Sequence, residues 1–149
     1  MTNPLPFDKS LLKQAGAECL AFALKKAARR VTRSYDDALR PAGIRSTQFS
    51  LLATIGCYGS LTVNELAESV VMDATTLSRN LRPLVRDGII RSTPGKADRR
   101  RRLVSLTKKG ARVLEQALPL WSTAQASMGR HLGADLTERL VGELKNVVA

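Results

Sequence analysis

The chain has 149 residues, one domain's worth, long enough to bury a real hydrophobic core. It carries 24 Lys/Arg against 13 Asp/Glu, a formal +11 at pH 7, and no apolar run approaches the roughly 20 residues needed to span a membrane. The two cysteines, Cys19 and Cys57, fit neither a disulfide framework nor a metal spacing. The opening MTNPLPFDKS lacks a charged start followed by an apolar run, so no secretion signal is expected. A soluble, cytoplasmic protein without metal or cofactor is the expectation.

After a short polar tail, a helical pattern runs from Phe7 to about Leu39 through Leu11, Leu12, Leu20, Leu24, Val31 and Tyr35. At about 30 residues it exceeds the usual globular helix, so Gly16 is the expected point of division or bending. A single small core cannot cover a helix of that length, and a partner subunit is the simplest cover for its second face. Pro41 and Gly43 end it. Ser46 is positioned to cap a second helix carrying Phe49, Leu51, Leu52 and Ile55, with its exit over residues 56–60. Thr62 to Glu65, T-V-N-E, fits a capping box for a third helix ending near Ser69. Val70, Val71 and Met72 form the turn before Asp73.

Asp73 is a good N-cap for a fourth helix, with Leu77, Leu81, Leu84 and Val85 on its apolar line and Gly88 closing it. Two short helices separated by three residues match a helix-turn-helix, although the common turn glycine is missing. Ile89 to Thr93 and Arg101 to Leu106 read as strands joined by a Pro-Gly loop. Thr107 starts a fifth helix, which Pro119 should bend, and a last helix spans roughly Asp135 to Val148. Residues 73–112 hold twelve Lys/Arg against three Asp, a net +9, whereas residues 113–149 are near −1. So dense a basic cluster repels itself, and a polyanion explains it best. The layout predicts a mostly α chain with a small β-hairpin.

Three stretches, LRPAGIRSTQFSLL, LVRDGIIRS and DRRRRLVSLTKKG, resemble the MarR family of bacterial transcription regulators, over essentially residues 10–148. The resemblance implies a single chain, residues 1–149, with a winged helix-turn-helix over 46–106. Residues 7–39 and 107–148 then form long N- and C-terminal dimerisation helices. It also implies a homodimer on a pseudo-palindromic double-stranded DNA operator.

A recognition helix offers its N-terminal residues to base edges. Here the exposed candidates are Thr75, Thr76, Ser78, Arg79 and Asn80, with Arg79 suited to guanine and Asn80 to adenine. Arg82 and Arg86 lie further along and favour phosphates. In the wing the candidates are Lys96, Asp98, Arg99 and Arg100. Strand alternation sends Arg100 and Arg102 to one face and Arg99 and Arg101 to the other. By resemblance, the tip approaches the minor groove. Asp98 is assigned to orienting Arg100 or a recognition-helix arginine, with an ordinary turn aspartate as the alternative. Pro83 withdraws the usual partner from the Arg79 carbonyl, so the last turn is expected to kink or tighten.

Members of the family commonly release DNA when a small phenolic or other aromatic acid enters a cleft. The matching surface here draws on Tyr35, Arg45, Phe49 and Trp121; core and hinge packing is the other reading of these residues. A redox-sensing regulator using Cys19 is a further alternative, since the peroxide-sensing branch carries a reactive cysteine in its first helix. That cysteine aligns with Ala21, however, and the tyrosine expected one turn later is Lys25. Lys25 or Lys26 could lower the pKa of an exposed Cys19 thiol, but a buried, inert Cys19 and a core Cys57 are the expectation. A non-specific architectural DNA-binding protein remains open as well. No catalytic constellation accompanies His131, and no Gly-rich phosphate loop or G-x-S-x-G is present, so an enzyme is not expected.

Overall fold

The computed structural model describes residues 6–95, 98 and 100–148. The chain divides into two compact units, residues 1–34 and 35–149. In the first unit, α1 (Lys9–Glu18) is capped by Asp8, whose carboxylate accepts from the Ser10 N–H at 2.7 Å. The expected single helix is broken at Cys19, which has an extended backbone (φ −68°, ψ 108°), and not at Gly16. α2 (Leu20–Leu39) then continues across the division between the units. Neither Leu11, Leu12 nor Leu20 is covered by the chain itself.

In the second unit, a 3₁₀ turn (Arg40–Ala42) ends on Gly43 at φ +72°. α3 (Ser46–Tyr58) follows. Ser46 is not its cap but its first residue, and donates both its N–H and its hydroxyl to Asp36 at 2.7 Å. Leu51, Leu52 and Ile55 of α3 are fully buried. The helix packs against α4 (Val63–Ser69), α5 (Ala74–Arg86), α6 (Lys108–Leu132) and the sheet, which makes it the central post of this unit. Each fully buried leucine or isoleucine contributes about 1.5–3 kcal/mol by leaving water, and Leu66, Leu77, Leu84 and Ile90 complete the post's surroundings. Cys57 is exposed and does not join that core.

The sheet is three-stranded, in the order β1 (Ser60–Thr62), β3 (Arg102–Leu106), β2 (Ile90–Pro94), antiparallel throughout. The hairpin anticipated from the sequence is β2–β3. β1 was not anticipated: its three residues are too few for a periodic signal, and it exists by pairing Leu61 with Val104. α7 (Ala134–Val148) follows α6, which runs through Pro119 without interruption.

Two backbone positions set the geometry of the second unit. Val71, in the turn between α4 and α5, has φ +52°, the left-handed region where a β-branched side chain is strained. It stands where the glycine was missing. Gly110, in the first turn of α6, lies so close to β2 that an added Cβ would fall 2.0 Å from the Ile89 carbonyl oxygen. Around it, Thr107 donates its N–H to Ile89 O at 3.1 Å and its hydroxyl to Gly88 O at 2.6 Å. Lys109 Nζ donates to Asp87 O at 2.8 Å. Gly110→Ala is therefore expected to destabilise the fold by at least about 2 kcal/mol, through backbone displacement. Val71→Gly should raise stability by up to about 1 kcal/mol by relieving the left-handed strain at an exposed site. Thermal melts of both variants check this; a Val71→Gly protein melting below the parent would contradict the second expectation.

Candidate nucleic-acid interface

α5 begins with a full set of caps. Asp73 accepts from the Thr76 N–H at 2.8 Å and from the Thr76 hydroxyl at 2.6 Å. The hydroxyl bond first, and the backbone bond next, hold the Asp73 carboxyl below its ordinary range. Leu77, Leu81 and Leu84 anchor one face. Thr75, Ser78, Arg79 and Arg82 lie exposed on the other and share one shallow surface with Ala74. Of the remaining candidates on this helix, Thr76 spends its hydroxyl on the cap. Asn80 is half-buried, with its amide donated to Thr76 O at 2.8 Å. Arg86 is paired with Asp87 at 2.8 Å, and this hydrogen bond holds the Asp87 carboxyl below its usual range. Pro83 does not break the helix: α5 runs on to Arg86, and Asp87 N–H closes onto Pro83 O at 2.9 Å.

Val85 leaves the expected apolar line and is exposed. It lines, with Leu81, Arg82, Arg86, Ser92 and Val104, a groove of about 470 Å³ between α5 and the sheet.

The wing differs from simple strand alternation. β3 begins only at Arg102, so Arg100 and Arg101 belong to the turn, and Arg100, Arg101 and Arg102 all border one groove of about 500 Å³. Its other walls are Thr62, Val63, Asn64, Glu65 and Glu68 beside α4 and Ser78 of α5. Arg102 is braced by donating from Nε to Ser92 Oγ at 3.1 Å and from Nη2 to Ser92 O at 2.9 Å. Arg91 donates likewise to Ser105 Oγ at 2.9 Å. Among the described residues, no arginine side chain bonds to Asp98. Its carboxylate accepts from the Arg100 backbone N–H at 2.9 Å, which makes it a turn aspartate. Lys96 and Arg99 lie outside the described residues.

On the acidic wall, Glu65 closes the T-V-N-E capping box, accepting from the Thr62 N–H at 2.7 Å. The Thr62 hydroxyl, the Thr62 N–H and, less strongly, the positive Arg101 hold its carboxyl low. Sequence reasoning missed Arg101, Arg102 and Asn64 as parts of this surface. The basic run and the capping box were both visible, but nothing local places one beside the other.

The four residues of the anticipated ligand surface are partly brought together. Phe49 and Trp121 stack with ring centroids 5.9 Å apart at 17°. Tyr35 donates its hydroxyl to Gln125 Oε1, and burial pushes the phenol's pKa up. Arg45 is exposed at the N-terminus of α3, its N–H held by Gln48 Oε1 at 3.0 Å. Cys19, expected to be buried, is exposed. Among the described residues, no helix is long and apolar enough to cross a membrane, and no cluster of His, Cys, Asp or Glu is arranged to hold a metal ion.

A capped recognition helix, a turn before it and an arginine-lined hairpin beside it define a winged helix-turn-helix protein of the DNA-binding type. A model described as the MarR family matches residues 44–101. The multiple antibiotic resistance protein MarR of Salmonella typhimurium is 33% identical over 74% of this chain and 72% of its own length. The crystal structure of the M. tuberculosis transcriptional regulator MosR in complex with DNA has a TM-score of 0.80 and 39% identity, covering 88% of this chain and 94% of that one. A mutant MarR from E. coli complexed with operator DNA gives a TM-score of 0.81 at 29% identity, over 91% and 97%. The chain belongs to the MarR family of transcriptional regulators.

The lowered Asp73 and Glu65 carboxyls contribute stability that is fully present above the ordinary carboxylate range and is lost as pH falls through their depressed values. Asp73→Ala should therefore lower the melting temperature at about pH 7, with the gap to the parent narrowing towards about pH 2. A gap of equal size at both ends of a pH-dependent thermal scan would show that the charged cap is not the cause.

Proposed function

We propose that the chain is a homodimeric, sequence-specific repressor that grips a pseudo-palindromic operator and is released by a small aromatic or phenolic effector. The observation that carries the DNA reading is the convergence of Ser78 on α5 with Arg100, Arg101 and Arg102 of the wing around one groove. In the proposed complex Thr75, Ser78 and Arg79 face base edges in the major groove, and Thr76 and Asn80 lie beside them. Arg82 and Arg86 neutralise phosphates, Arg86 exchanging Asp87 for the backbone. Arg100, supported by the Asp98 turn and flanked by Lys96 and Arg99, enters the minor groove, where negative potential favours an arginine.

Exposed apolar residues support the dimer: Leu11, Leu12 and Leu20 near the N-terminus, and Leu136, Leu140, Val141 and Leu144 along one face of α7. A second copy is the cover of matching chemistry, residues 7–39 and 107–148 serving for dimerisation and 46–106 for DNA. The two recognition helices are then about 34 Å apart, one turn of duplex. An effector bound beside Phe49, Trp121, Tyr35 and Arg45 releases DNA by favouring a different separation.

One specific observation favours redox control as a second reading. The Cys19 thiol is exposed at the break between α1 and α2, so an oxidant can reach it. Loss of operator binding on peroxide treatment, prevented by Cys19→Ser, is the expected result on that reading.

Arg79→Ala is expected to cost about 1–3 kcal/mol on the operator and to relax preference at one base position. Arg100→Ala should weaken binding to all duplexes and reduce the salt slope by about 1. Footprinting upstream of the chain's own coding region, with fluorescence anisotropy across a salt series, measures both. A purified chain that is monomeric, or that protects no site, would sink the proposal.

A further inference from the structure

The first unit holds a charge arrangement that the winged module does not use. α2 carries Lys25, Lys26, Arg29, Arg30 and Arg33, all exposed. At helical periodicity these five occupy about 140° of the circumference and about 12 Å of length. Leu20, Leu24, Ala27, Ala28 and Val31 take the opposite side. No carboxylate lies between Leu20 and Tyr35. The next two on the helix are engaged elsewhere: Asp36 accepts from Ser46, and Asp37 pairs with Arg40. Among the described residues, no ion pair involves any of the five.

This is not the usual solvated helix face, which mixes both signs. Lys25 with Arg29, Arg29 with Arg33, and Lys26 with Arg30 are like charges four residues apart, and each pair disfavours the helix. Glutamates at two of these places would have turned the same pairs favourable. Phe22 stands exposed on the same side, with Lys26 Nζ 5.2 Å from its ring centroid.

We propose that this face of α2 is a second, sequence-independent binding surface for the phosphates of duplex DNA, separate from the winged module. Charge complementarity selects the occupant. A duplex presents one negative charge per about 1.7 Å of axis, a density that meets five cations along a short rod, and arginine supplies the forked donors that suit phosphate oxygens. An anionic bilayer fits less well. Membrane-surface helices sink a bulky apolar face, whereas on the face opposite the cations Leu24 and Val31 are already half-buried and Ala27 and Ala28 offer little to sink. The surface adds to affinity and reach along DNA without reading bases, so it does not depend on which operator the wings prefer.

The test uses the full chain with Arg29→Gln, Arg30→Gln and Arg33→Gln combined, since glutamine keeps helix propensity; circular dichroism checks the fold. Should that protein misfold, the milder pair Lys25→Gln and Lys26→Gln takes its place. Binding to a long duplex of random sequence is followed by anisotropy across a salt series. The salt slope should fall by about 2–3 per chain, with at least about tenfold weaker binding at low salt. An unchanged slope overturns the proposal. So does a loss confined to sedimentation with phosphatidylserine-containing vesicles, which would assign the face to a bilayer. Arg100→Gln, measured in parallel, separates this surface from the wing. If that wing substitution is silent while the α2 set lowers the slope, the winged reading fails and the present one stands.

Discussion

The second unit is organised by one close approach of backbone to backbone. The first turn of α6 rests on the Asp87–Ile89 segment so tightly that only glycine fits at position 110. Thr107 and Lys109 take up the Gly88 and Asp87 carbonyls, just beyond the end of α5. Orphan carbonyls at a helix C-terminus need donors; the N–H groups of Asp87, Gly88 and Ile89 fold back to supply them, and the carbonyls of that same segment are then held by the start of α6. The end of α5, the start of β2 and the start of α6 are therefore one rigid corner. The placement of the wing beside α5 follows from it, because β3 enters directly into Thr107.

The electrostatics of the unit show a division of labour. Five of its carboxylates are used locally, each to hold a piece of backbone or a neighbouring cation: Asp36 at the start of α3, Glu65 at α4, Asp73 at α5, Asp98 in the wing turn, Asp87 against Arg86. Arg91 and Arg102, by contrast, stay at the surface with only hydroxyl and carbonyl partners. Such a surface repels itself in the absence of an anion, and the caps offset part of that cost by fixing the elements that carry it. The acidic wall formed by Glu65 and Glu68 borders the same groove as the wing arginines, so the groove is amphoteric rather than simply basic.

α2 repeats this theme in a simpler form. Its two sides differ sharply, cations on one and apolar residues on the other. Among the described residues, none of the cations before Tyr35 is in an ion pair, and the apolar side is only partly covered. A helix of this kind takes its stability from what it meets, since isolated helices are marginal and packing supplies most of their free energy.

Much was legible without coordinates. Helical spacing of Leu77, Leu81 and Leu84, the Asp73 cap and the T-V-N-E box announced α4 and α5, because caps and periodicity act over a few residues and need no distant partner. The excess of arginine between Asp73 and Arg112 pointed to a polyanion for the same local reason. Errors arose wherever a long-range contact overrode a local preference. Asp36, ten residues away, took over the capping that Ser46 was expected to provide. The break at Cys19, although Gly16 is the weaker helix former, is the exception: its backbone bonds reach only Ala15 and Ala23. β1 formed only because β3 offered it an edge. The meeting of Arg100, Arg101 and Arg102 with Glu65 and Ser78 likewise depends on the antiparallel register that sets Thr62 opposite Leu103. Sequence alone determined which segments fold and what charge they bear. Tertiary structure decided which of those charges share a groove, because closing loops of 20 to 40 residues brings together side chains whose proximity no local pattern encodes.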